Sequence, residues 1–271
     1  MTLKLENIFE IANSNVEDTL NWAKDTANLS IEQLRNSLVF AGKRCDVYLA
    51  MSRRYEEYIT EQNQQINKRT GDVEMLLKWL KLMETGKKAN DLIGYLTLLQ
   101  MDAMISLLNM LEAKTDTERL MVCKHAYTIL HEAQDKGLFK VVSKEMNSMP
   151  NEVLDSEYRS ALWKETKSVI RMMIPQNEVE RVRNNIDAHK SASFTEQIEV
   201  YKQCDFGKSF VNMFALMKIV DILHEAMDII KNNIEMLNEY LSDEAKTRTK
   251  RYEELISEIE GKNMPHAISN T

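Results

Sequence analysis

The chain has 271 residues, 44% hydrophobic and 28% charged, with a formal net charge of −7 and only seven glycines and three prolines. So little turn-forming chemistry excludes an all-β fold of many short strands and a series of βαβ crossovers, while the length suffices for one large helical domain or two small ones. The acidic balance gives no global attraction to nucleic acid or anionic lipid, so either partner has to be held by a local site.

The N-terminal stretch lacks a basic segment followed by an apolar block, so no secretory signal is expected and the expected location is cytoplasmic. Apolar residues then recur three and four positions apart almost throughout, which predicts an all-α chain. A first helix is expected over Val16 to Ala27. Ser30 and Gln33 form a capping-box pattern at the head of a long helix reaching about Lys68, closed by Gly71 and Asp72. In that helix Leu34, Leu38, Ala41, Cys45, Tyr48, Ser52, Tyr55 and Ile59 follow a heptad-like seam with several small or polar members.

Shorter helices are expected at Val73 to Met83, Ala89 to Glu112 and Thr117 to Asp135, broken by Gly86, the Thr115/Asp116 pair and Gly137. The apolar run Leu92 to Leu111 is interrupted by Gln100, Asp102, Ser106 and Asn109, which reads as a buried helix rather than a bilayer span, and no membrane partner is expected. Pro150 ends the next segment. Another helix is expected from Asn151 or Glu152 to Met173, and Pro175 suits the first turn of a helix carrying NEVERVRNNIDAHK.

Ser193 and Glu196 offer a second capping box. After a break at Cys204 to Gly207, Leu216, Val220, Leu223, Met227, Ile230, Ile234, Leu237 and Leu241 are spaced 4, 3, 4, 3, 4, 3 and 4. This stronger seam has to face either another helix of the chain or a second chain. The expected division is an N-terminal helical region over 1–88, a bundle over 89–242, and a helical extension with a frayed polar tail over 243–271.

No GxGxxG, GxxxxGK[ST] or HExxH pattern is present, and the three cysteines, Cys45, Cys123 and Cys204, have no CxxC or CxxH spacing. Phosphate-loop nucleotide chemistry and a zinc site are therefore not expected, no cofactor is expected, and the cysteines read as small core residues in a reducing compartment. The acidic pairs Glu56/Glu57 and Glu253/Glu254 read as solvated helix faces. Trp22, Trp79 and Trp163 read as packing residues, and His224 as a residue at the boundary of the bundle.

The stretch Arg183-Asn184-Asn185-Ile186-Asp187-Ala188-His189 joins an arginine, a directly following amide and a histidine six positions on. It resembles the signature of HEPN domains. In that family of α-helical bundles, R-x(4 to 6)-H with Asn, Asp or His after the arginine marks many metal-independent ribonucleases, often toxins or defence proteins, that act as dimers. The resemblance covers about residues 89–242 and implies Arg183, Asn184 and His189 as catalytic residues, an RNA substrate and a homodimer. Toxin members often carry a tyrosine two residues after the histidine, where this chain has Ser191.

The chemistry is coherent on its own terms. An imidazole near neutrality serves as acid or base, a guanidinium takes two phosphate oxygens, and an amide orients either one. The expected product carries a 2′,3′-cyclic phosphate. Residues six apart on a helix are separated by about 120° around its axis and about 9 Å along it, so Arg183 and His189 converge only through a helix end, long side-chain reach or a second chain.

Arg181, Lys190, His125 and His131 are secondary candidates for substrate binding, with packing as the other reading of the two histidines. The basic set Arg159, Lys164, Lys167, Arg171, Arg181 and Lys190 is interleaved with acids and reads as at most a local phosphate-attracting patch. The alternative function is a noncatalytic helical module in which the motif is a contact or a cap.

Overall fold

A computed structural model describes residues 9–68, 72–134, 138–187 and 204–262. Among these residues there are helices and no strands. A 3-10 turn at Phe9–Ile11 precedes α1 (Val16–Asp25), α2 (Ile31–Lys68), α3 (Val73–Glu112) and α4 (Asp116–Gln134). These are followed by α5 (Leu138–Ser148), α6 (Ser156–Met172), α7 (Gln176–Asp187) and α8 (Phe206–Lys262). The chain is all-α.

The helix ends follow local chemistry. Asn15 accepts from the Asp18 backbone N–H at 2.9 Å and starts α1. Asn28, in the left-handed region with φ 49°, turns the chain away after it, a conformation that asparagine tolerates better than most residues. Ser30 and Gln33 exchange two hydrogen bonds of 3.1 Å, the capping box expected at the head of α2. Gly71, Gly137 and the Ser193/Glu196 pair lie outside the described residues.

The centre of the fold is α3, held antiparallel between the long helices α2 and α8. Arg44 of α2 donates to Gln100 Oε1 of α3 at 3.1 Å, and Gln100 Nε2 donates to Asp221 Oδ1 of α8 at 2.5 Å. Nearby, Asn90 Nδ2 donates to the Tyr48 carbonyl and to Ser52 Oγ, each at 2.8 Å. These polar rungs, with the Arg35–Glu112 and Lys78–Glu244 ion pairs farther along, help set the register of three helices that share an apolar core. By length and composition α3 could cross a membrane; in this fold Leu92, Ile93, Leu96, Ala103, Met104 and Leu107 are buried.

Two expected boundaries differ. Gly86 does not break the chain, because α3 runs through it, and the expected division after residue 88 falls inside this helix. Gly86 serves packing: a Cβ there would lie 2.9 Å from Tyr55 Cε1 and Oη, so the missing side chain admits the tyrosine ring. Helix α6 starts at Ser156 rather than at Asn151 or Glu152, because the Asp155 carboxylate accepts from the N–H groups of Glu157 and Tyr158 at 2.9 and 3.0 Å. The intervening turn takes its own bonds to the Pro150 carbonyl from Val153 and Leu154.

Pro175 stands just before α7, its carbonyl accepting from Glu178 and Val179 at 2.9 and 3.1 Å. Helix α8 begins inside the expected break, with Asp205 Oδ1 accepting from the Lys208 N–H at 2.8 Å. Gly207 belongs to this first turn, and a Cβ there would lie 2.8 Å from the Ser14 carbonyl. The N-terminal segment crosses α8 at the glycine, and Trp22 of α1 meets Phe214 edge-on with centroids 5.5 Å apart.

The strong seam of α8 is spent within the chain. Leu216, Val220, Leu223, Met227, Ile230 and Ile234 are buried, and Leu237 and Leu241 are partly buried against the same core. Cys123 and Cys204 are buried and in no disulfide, and Cys45 is half-buried. Burial pushes the Cys123 thiol up to about 12 and Cys204 to about 11.

His224 is buried, not a boundary residue. Its Nε2 lies 3.1 Å from Thr97 Oγ1. Since the Thr97 hydroxyl donates to the Ile93 carbonyl at 2.8 Å, the imidazole N–H is the donor in this pair. Burial lowers the His224 pKa, Arg44 adds to the lowering, and Asp221, Asp228 and a backbone bond to Ile93 oppose it. The unfolded imidazole takes up its proton near pH 6.5 while the folded one resists, so just below that pH the unfolded state binds more protons. Stability measured by urea unfolding is expected to fall as pH drops through about 6.5 toward 5, and His224→Gln should flatten that decline. An unchanged slope in the variant would show that other groups govern it.

Candidate functional site

The arginine-amide pair sits late in α7. This helix buries Val179 and Val182 and packs against α4. Its opposite side carries Arg181 and Asn184, three apart and both exposed, while Arg183 is half-buried on the flank of the buried face, about 40° around the helix from Val179. The α7 pattern therefore separates two apolar anchors from a polar turn, which is why the segment is helical despite two consecutive asparagines, poor residues for a helix interior. His189 and Lys190 lie outside the described residues.

The secondary histidines part company on α4. His125 is exposed, and its charge opposes the upward push that burial gives the Asp102 carboxyl on α3, while Glu132 adds to that push. His131 is only 5% exposed and sits among the core residues. Residues six apart on a helix cannot share a face, and the burial of one histidine beside the exposure of the other follows from that. His131 thus does not stand on a surface where substrate is met.

The basic set divides in the same way. Arg181 belongs to α7, whereas Arg159, Lys164, Lys167 and Arg171 belong to α6, on a different part of the molecule's sequence and fold. Trp163 on α6 is 8% exposed, consistent with packing, and Trp22 and Trp79 are half-buried. Glu56, Glu57, Glu253 and Glu254 are exposed, as solvated faces are. Among the described residues no group of three or more His, Cys, Asp or Glu is placed to hold a metal ion.

The arrangement on α7 offers a guanidinium and an amide, two groups that bind phosphate oxygens, in adjacent positions at a solvent-facing turn. Compared with known families, curated proteins and solved structures, the chain finds no match.

Proposed function

We propose that the chain is an RNA-directed, metal-independent endoribonuclease of HEPN type, working as a homodimer. The observation that supports this reading is the Arg183-Asn184 pair late in α7, a half-buried guanidinium followed directly by an exposed amide, where Val179 and Val182 already supply the packing and the amide has no role in the core. In the proposed reaction His189 takes the proton from a ribose 2′-OH, and the 2′-oxygen bonds to the adjacent phosphorus. The bond from phosphorus to the 5′-oxygen breaks, and that oxygen leaves as a hydroxyl, taking the proton that the His189 imidazolium gives up. Arg183 stabilises the charge gathering on the phosphoryl oxygens, and Asn184 orients the phosphate or the imidazole. The products are a 2′,3′-cyclic phosphate and a 5′-hydroxyl. A toxin or antiphage effector role, with a neutralising partner protein, belongs to the same reading.

A second reading, a noncatalytic interaction module, draws on a different observation: α2 exposes Val39, Phe40, Val47 and Leu49, with Phe40 62% accessible.

The test is cleavage of mixed cellular RNA in excess chelator by wild type, Arg183→Ala and His189→Ala, matched for helicity and association state. Cleavage by wild type is expected to fall by two orders of magnitude or more in either variant, the scale of lost acid-base or charge-stabilising groups. Intact RNA with every form would move the assignment to the interaction module.

A further inference from the structure

Helix α6 carries its cations on one side. At 100° per residue, Ser160, Lys164, Lys167 and Arg171 fall within an arc of about 60°, and Glu165 points about 130° from the centre of that arc. The acids that interrupt this basic set in the sequence do not all interrupt it in space. That side of α6 borders α5, and the two helices enclose an open cleft of about 650 Å³ to which α5 contributes Ser143 and Asn147. Lys140 and Lys144 share the α5 face of those two residues by their three- and four-residue spacing, and both are exposed.

The wall of this cleft is built. Arg159 donates to the carbonyls of Asn147 and Met149, each at 3.1 Å, and to that of Leu154 at 2.7 Å, fixing the α5–α6 connection beneath the cleft. Trp163 lines it, 8% exposed, with an indole N–H that lacks a hydrogen-bond partner among the described residues. Among the described residues no carboxylate lines the cleft. Lys164, Lys167 and Arg171 make no ion pair among the described residues, whereas Lys78, Lys87 and Arg248 elsewhere are paired with acids. In a chain of net charge −7, three cations on one helix face without an ion pair form a local site of positive potential that attracts an anion.

We infer that the α5–α6 cleft is a binding track for the phosphate backbone of single-stranded RNA, with Lys164, Lys167 and Arg171 as its phosphate contacts. The cations follow one another at about one helical turn, so together they suit an extended polyanion rather than a single phosphate group. Between them stand hydroxyl and amide groups, Ser143, Asn147 and Ser160, which bond phosphate oxygens and ribose hydroxyls. An acidic peptide would need apolar anchor pockets for its affinity, and apart from the indole the wall provides none. The inference rests on the RNA reading above and adds to it a site on the helix preceding that of Arg183, which holds the strand but does not cut it.

The test measures binding of a fluorescent single-stranded RNA of about 20 nucleotides to the full chain carrying His189→Ala, so that the strand stays intact. Two charge-matched variants are compared on that background. One is Lys164→Ala with Lys167→Ala and Arg171→Ala; the other removes three exposed cations near the end of α8, Lys246→Ala, Lys250→Ala and Arg251→Ala. Each phosphate neutralised contributes about 0.7 to the slope of log affinity against log salt, so the cleft variant should lose about 2 from that slope and at least ten-fold in affinity at low salt. The α8 variant should lose little of either.

Equal binding by both variants would overturn the cleft as the track while leaving the RNA reading standing. Absence of RNA binding by the parent protein, with polyglutamate bound through the same three cations, would overturn the RNA reading and assign the cleft to acidic polypeptides. Circular dichroism on each variant separates lost binding from lost fold.

Discussion

Phe210→Ala is expected to lower unfolding stability by about 3–5 kcal/mol, the range for a fully buried phenylalanine truncated in a core. Phe210 has no solvent exposure and stacks on Phe206, with ring centroids 6.3 Å apart, in the first turns of α8. Close by, Asn212 Oδ1 accepts from the buried Ile174 N–H at 2.9 Å, and its Nδ2 donates to the Lys208 carbonyl at 2.7 Å. The entry to α7 and the start of α8 are therefore tied together at this point. A cavity at Phe210 can collapse only if that tie moves, which keeps the cost high.

With total stabilities of about 5–15 kcal/mol for folded domains, the loss is a large share of what holds the bundle. Phe210→Leu, which retains most of the volume, should cost no more than about 1.5 kcal/mol. Denaturant unfolding of the two variants checks both figures, and a loss under about 1 kcal/mol for Phe210→Ala would show that the start of α8 is not part of the cooperative core.

Particular residues show how far the sequence reaches. The capping box at Ser30 and Gln33 is legible because it is a local bond pattern, closed within four residues. The seam from Leu216 to Ile234 is legible because a helix repeats its buried face every three or four residues, although spacing alone leaves open whether the partner is the same chain. Gly86 misleads because glycine is read as backbone freedom, while its role is set by Tyr55, 31 positions earlier in the sequence. The start of α6 is shifted because Pro150 and Asp155 are both plausible beginnings: the Asp155 carboxylate caps the helix, while the Pro150 carbonyl closes only a turn with Val153 and Leu154.

The candidate site follows the same division. That Arg183 and Asn184 share a helical turn is a local property and is readable from spacing. The burial of His131 and His224 is not, since each depends on which neighbouring helix covers its face. The α6 cations look interleaved with acids in one dimension; winding the segment into a helix gathers Lys164, Lys167 and Arg171 on one side, and only the placement of α5 makes that side a cleft.

Arg159 is expected to separate scaffold from contact in that cleft. Its guanidinium gives three bonds to main-chain carbonyls, one at 2.7 Å to Leu154. Bonds from a charged donor contribute about 1.5–3 kcal/mol each before mutual dependence, and a substitution leaves all three acceptors without this partner. Arg159→Met retains the length and apolar stem and removes the donors, so the expected loss of stability is about 2–4 kcal/mol. Arg159→Lys should recover part of it, because an ammonium reaches a carbonyl but cannot fork across several in a plane.

The unfolding measurement has a second consequence for the cleft. If Arg159 acts only by holding the turn between α5 and α6, the Met and Lys variants should weaken RNA binding in proportion to their loss of stability. Under conditions where both remain folded, the salt slope should stay near that of the parent, because the phosphate-facing cations Lys164, Lys167 and Arg171 are intact. A slope lowered by about 0.7 in Arg159→Met but kept in Arg159→Lys, which retains the charge, with stability unchanged, would instead make Arg159 a phosphate contact and would contradict the clamp drawn from its three carbonyl bonds.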